Sequence, residues 1–160
     1  MKTFKPRNIN NSNSIAPQSK NPFDVKIIGL GGVGTVTKNF FVYETENDII
    51  VLDCGIGFPD ETNLGIDFVL PDISYLMQPE KFKKVRAFLI SHAHEDHMGG
   101  LPYILPKIPV PVFTAKLTAG FIKGKLEQTK GGNRFQINTI EEGKTCSFGD
   151  FKAEFVHITH

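Results

Sequence analysis

The run Ser91-His92-Ala93-His94-Glu95-Asp96-His97-Met98-Gly99-Gly100 constrains this chain more than any other stretch. Three histidines and two acids fall within six consecutive positions, His92 to His97. Imidazole nitrogens and carboxylate oxygens are ligands for zinc and related divalent ions. Residues 85–91 (VRAFLIS), just before, are almost continuously apolar and read as a strand buried on both faces. A strand end fixes the backbone, and alternation sends His92 and His94 the same way. A helix start then turns Asp96 and His97 toward a neighbouring point, so one loop can serve two adjacent metals. A lone histidine would read as solvated or hydrogen-bonded. Three histidines with an aspartate in H-x-H-x-D-H read as metal ligands.

Two more histidines, His157 and His160, close the chain. Residues 151–160 read as a strand, which would put these two on opposite faces and keep them from sharing one metal. Spacing alone does not say which joins the cluster. Position favours His160, because strand ends face the cleft in layered α/β folds. His157 reads as a surface residue.

The rest of the chain alternates strand, turn and helix signals. Strands are expected over residues 25–30, 35–44, 49–53, 110–114 and 135–140, the last joined to 151–160 through a polar turn. Residues 63–70 read as a loop and 71–76 as a short helix or turn. A short helix is expected over 96–105, interrupted by Gly99, Gly100 and Pro102. Residues 116–129 read as an amphipathic helix with Leu117, Phe121 and Leu126 on or near one face, and 130–133 as a turn. The fold class is α/β or α+β.

At 160 residues the chain is one domain or part of one. Residues 1–22, rich in Asn, Ser, Lys and Pro, read as a flexible tail. Eighteen basic and 17 acidic residues leave a net charge of +1, so no global field points to nucleic acid and any such binding must be local. Cys54 and Cys146 form no C-x-x-C pair and read as reduced thiols. The N-terminus lacks the apolar core of a signal peptide, and no apolar run approaches the ~20 residues of a spanning helix. Without a membrane segment, the expected location is the cytoplasm.

Gly29-Leu30-Gly31-Gly32-Val33-Gly34 satisfies G-x-G-x-x-G after a strand, with Asp53 placed where a ribose-binding acid would lie. A dinucleotide fingerprint must open a helix. The following residues 35–43 (TVTKNFFVY) are β-branched and aromatic, which fits a strand. The surviving reading is a turn between antiparallel strands. Gly31, Gly32 and Gly34 either let backbone approach a ligand phosphate or serve only the turn. Asp53 reads either as a turn cap or as a carboxylate that orients a ligand histidine.

The Gly29–Gly34 turn, Asp53-Cys54-Gly55, Leu64-Gly65-Ile66-Asp67 with Pro71-Asp72, the histidine cluster and terminal Thr159-His160 occur in one order. From Phe23 to His160 that order resembles the N-terminal part of the ribonuclease J family, metallo-β-lactamase-fold nucleases of the β-CASP group. The resemblance implies an αββα sandwich of which residues 23–160 form the N-terminal half. It implies two zinc ions, with His92, His94 and His160 on the first and Asp96 and His97 on the second. Asp96 and His97 are thereby the catalytic candidates, and Asp53 the acid behind the histidines. It further implies that a hydroxide between the metals attacks an RNA phosphodiester, with both 5′-to-3′ exonuclease and endonuclease activity. RNA is the implied partner, with a homo-oligomer for the full-length protein and other RNA-decay proteins in company. Thr35 stands where many relatives carry an acid.

The family needs a later aspartate, a late histidine and a β-CASP domain, so the chain is expected to be a fragment. It would hold one well-formed zinc site and expose an apolar patch. Manganese would be tolerated chemically. Competing readings are a thioester or lactam hydrolase of the same fold, a nicotinamide-dependent oxidoreductase built on the glycine turn, and a non-catalytic zinc- or RNA-binding remnant.

Overall fold

The computed structural model describes residues 24–59, 61 and 64–160. The expected tail, residues 1–22, lies outside the described residues. Six strands form one sheet in chain order. β1 (Lys26–Gly31), β2 (Phe40–Glu44) and β3 (Ile49–Leu52) run antiparallel. β4 (Val85–Ile90), β5 (Val112–Thr114) and β6 (Ile137–Thr139) continue the sheet, each parallel to its predecessor. α1 (Pro79–Phe82) precedes β4, α2 (Glu95–Met98) and α3 (Leu101–Ile104) follow it, and α4 (Lys116–Glu127) links β5 to β6. A separate hairpin, β7 (Thr145–Phe148) and β8 (Phe151–Glu154), completes the described elements.

Strand alternation divides the core between the two faces of the sheet. On one face Phe40, Val42, Ile49, Val51, Phe88, Ile90 and Val112 meet Met98, Leu101, Ile104, Ile122 and Leu126 of the helices. On the other, Ile50, Ala87 and Leu89 meet Phe148, with Phe113, Phe151 and Phe155 packed against them. β4 thus carries buried side chains on both faces, as its apolar run requires. Helices, sheet and hairpin make three layers, and the loops after β3 and β4 open at one sheet end, where parallel strands place ligand sites.

Asp48, in the turn between β2 and β3, clasps the tip of the hairpin. Its Oδ2 accepts the Asp150 amide at 2.8 Å, and Arg86 pairs with its Oδ1. Thr45 Oγ1 reaches Asp150 Oδ2 at 2.8 Å. Gly149 takes φ 62° directly over the Asp48 carboxylate, where any side chain would overlap it.

Several elements differ from the sequence reading. The strand expected from residue 35 starts at Phe40, because Lys38, at φ 59°, is outside the range of a strand and the segment bends there. The expected helix over 96–105 is two single turns, split at Gly99-Gly100 with Pro102 opening the second. β7 lies inside the expected polar turn, since its hairpin needs only one apolar face. β8 stops at Glu154, so the face argument for His157 and His160 does not hold. On α4 the buried residues are Thr118, Ala119, Ile122 and Leu126, whereas Leu117 and Phe121 are exposed. The buried stripe is a different face of the helix, with Ile122 and Leu126 in the core beside the sheet. No helix among the described residues is long and apolar enough to cross a membrane.

Phe88 is fully buried and meets Phe40 edge-on at 6.0 Å between ring centroids. Phe88→Ala should cost about 3–5 kcal/mol of unfolding free energy, by lost burial and a residual cavity. Urea denaturation followed by circular dichroism will check this.

Candidate metal centre

The site forms where the loops after β3 and β4 meet the β1–β2 turn. Backbone hydrogen bonds stitch the three together. Cys54 N donates to His97 O at 2.6 Å, Gly100 N to Cys54 O at 2.8 Å, and Asn39 N to Asp96 O at 2.9 Å. Gly55 N donates to Asn39 O at 3.0 Å. A side chain on Gly55 would overlap the Asp96 carbonyl, so glycine permits this approach.

Three histidines converge. His92 Nε2 and His160 Nε2 each lie 3.1 Å from His94 Nδ1. One ligand nitrogen from each lies within 4.8 Å of the other two. A single proton on His94 Nδ1 can serve only one of the two neighbours. A cation would satisfy all three lone pairs. A tetrahedral ion ~2.1 Å from each nitrogen would hold them roughly 3.4 Å apart, close to the two 3.1 Å separations from His94 Nδ1. His160 arrives on a segment without regular structure, and His157 is exposed and not part of the cluster. His92, His157 and His160 help line a cavity of about 280 Å³ beside it.

Next to this cluster, His97 Nε2 and Asp96 Oδ2 stand 3.3 Å apart, a second pair of ligand atoms. His97 Nδ1 donates to Asp53 Oδ2 at 2.8 Å, which leaves Nε2 with its lone pair. Asp53 Oδ1 accepts the Ser91 amide at 2.8 Å and lies 2.9 Å from Ser91 Oγ. That hydroxyl is 2.9 Å from His92 Nδ1. A carboxylate only accepts, so Ser91 donates to Asp53 and takes the Nδ1 proton of His92 as its own hydrogen bond. His92 Nε2 is thereby left free as a ligand. Asp53 sits at φ 63°, a left-handed conformation that aspartate adopts more readily than most residues.

Glu95, inside the same motif, turns away and pairs with Lys125 of α4. Cys54 is buried, and burial pushes its thiol well above the ordinary range. Gly31 and Gly32 accommodate the Lys38 carbonyl and the Asn39 carboxamide, whereas the space around Gly34 is open. The sequence reading did not single out Asn39, whose partners lie 57 and 58 residues away. Nor did it give Ser91 a role, although Ser91 opens the motif.

A profile of the metallo-β-lactamase superfamily matches residues 33–160, and the chain belongs to that superfamily. Among its relatives, ribonuclease J2 of Bacillus subtilis is 38% identical over 143 residues, which cover 89% of this chain and 25% of that protein. Ribonuclease J of Thermus thermophilus is 45% identical over 109 residues, 65% of this chain and 19% of that protein. The chain thus spans about a quarter or less of the length of these relatives. Among solved structures, the metallo-β-lactamase SMB-1 bound to 2-mercaptoethanesulfonate superposes with a TM-score of 0.52 at 14% identity, over 81% of this chain and 49% of that one. That likeness concerns the fold.

Burial pushes the His97 ring down from its ordinary 6.5, but the Asp53 hydrogen bond and the charges of Asp53 and Asp96 outweigh it and raise the net value. In the metal-free chain this contributes stability that is full below pH 6.5 and lost as pH rises through the raised value. His92 is lowered, by burial first and then by His97, His94 and His160. Its contribution has the opposite sign and is lost as pH falls below 6.5. Asp53→Asn should lower the His97 value and weaken metal binding by about 10- to 100-fold. Ring-proton NMR titration in chelator and zinc competition assays will measure the two effects.

Proposed function

We propose that this chain is the metal-binding portion of a zinc-dependent ribonuclease that hydrolyses RNA phosphodiesters. The observation that carries the reading is the meeting of His92, His94 and His160 beside the Asp96–His97 pair, in a chain similar to ribonuclease J. The donor set is nitrogen-rich with a carboxylate, which suits zinc. His92, His94 and His160 would hold the first ion, and Asp96 and His97 would supply ligands to a second. When bound, zinc acidifies a water and offsets charge that grows on the phosphoryl oxygens.

The remaining tasks fall to the chain. Asp53 holds the Nδ1 proton of His97 directly and that of His92 through Ser91, so both present Nε2 to the cleft. Asp96 and His97 are the residues we assign to catalysis, through the second ion. Gly34, with φ 74° and open space around it, is the best of the loop glycines for approach to a phosphate; Gly31 and Gly32 line the same turn. RNA is the proposed partner, and the cytoplasm the proposed location. For the full-length protein we propose 5′-to-3′ exonuclease and endonuclease activity and a homo-oligomeric state.

The paired substitution His92→Ala and His94→Ala should abolish binding of the first zinc ion. In the full-length protein it should remove cleavage of a 5′-labelled RNA, and a chelator should do the same reversibly. RNA cleavage that survives the double substitution would refute the proposal.

A further inference from the structure

The geometry points to Asn39 as a positioning residue for the second cation, a role that rests on the reading that Asp96 and His97 hold one. Its carboxamide nitrogen lies 3.0 Å from Asp96 Oδ2 and 3.2 Å from His97 Nε2. The same nitrogen is 3.2 Å from the Asp96 carbonyl. Two amide hydrogens thus face the two ligand atoms that a cation would use. The backbone fixes Asn39 from both sides, since its N–H donates to Asp96 O and its carbonyl accepts from Gly55. Gly32 leaves the room its Oδ1 needs.

The two contacts differ in kind. A carboxylate oxygen has several acceptor sites, so Asp96 Oδ2 can accept the amide and bind a cation together. His97 Nε2 has one lone pair, because Nδ1–H is committed to Asp53. A cation on Nε2 must therefore displace the amide from that nitrogen alone. We infer that Asn39 keeps the pair assembled while no cation is there, then yields His97 and retains Asp96. Asp96 is partly exposed and would otherwise be free to rotate away.

The test is a titration of the metal-free full-length protein and its Asn39→Ala variant with cobalt(II), following the visible band of each bound ion. The first ion should bind both chains alike, and the second should bind the variant roughly tenfold more weakly, the worth of one charge-assisted hydrogen bond. Without metal, the ¹⁵N resonance of His97 Nε2 should move toward that of an unbonded lone pair. Should Asn39→Ala fail to fold, Asn39→Leu, near in volume and without a donor, reads the same resonance. An unmoved resonance, or a second ion bound as tightly as before, overturns the role of Asn39. A wild-type full-length protein that takes up one ion only overturns the two-cation reading itself.

Discussion

The Asp53 carboxylate is the interaction on which the site depends. It stands at the end of β3 in a left-handed conformation and accepts from Ser91 and His97 of the neighbouring loop. Each of these bonds crosses from one parallel strand end to the next. They fix which nitrogen of two histidines is protonated, and so which lone pairs face the cleft. An unpaired acid in this position would be costly, and two misoriented imidazoles would hold no ion well. One acid resolves both problems.

Around this carboxylate the backbone is drawn unusually close. Residues 38–39, 54–56 and 95–100 exchange main-chain hydrogen bonds, so three loops behave as a single short-range framework. Gly55 and Gly32 sit where a side chain would collide with Asp96 or Asn39. The Asp96–His97 pair depends on this framework for its position, since α2 is only one turn long and has no helical cooperativity of its own.

The site was legible in the sequence to the extent that its chemistry is local. His92, His94, Asp96 and His97 lie within one turn and one strand end, and their types alone name a cation. His160 was suggested by position, but through a strand that does not extend that far. Asn39 left no local signal, because an asparagine before an apolar strand is an ordinary turn residue until its distant partners are known. The fold was legible where burial was two-sided, as in β4. It was less so on α4, where Leu117 and Phe121 outrank Ala119 and Thr118 in hydrophobicity yet face outward. Which face is buried follows from where the chain lays α4 on the sheet, which hydrophobicity alone does not specify. Glycine positions were legible as turns, but the groups that press against them were not.

The Asp48 clasp at the opposite end of the sheet has a consequence for this site. The hairpin it holds leads, six residues beyond β8, to His160. The third histidine is therefore delivered by a lever whose fulcrum lies at the β2–β3 turn, remote from the cleft. An ion bound through His160 would tie the segment after β8 to the loop after β4, so cation uptake would be linked to the packing of the hairpin on the sheet.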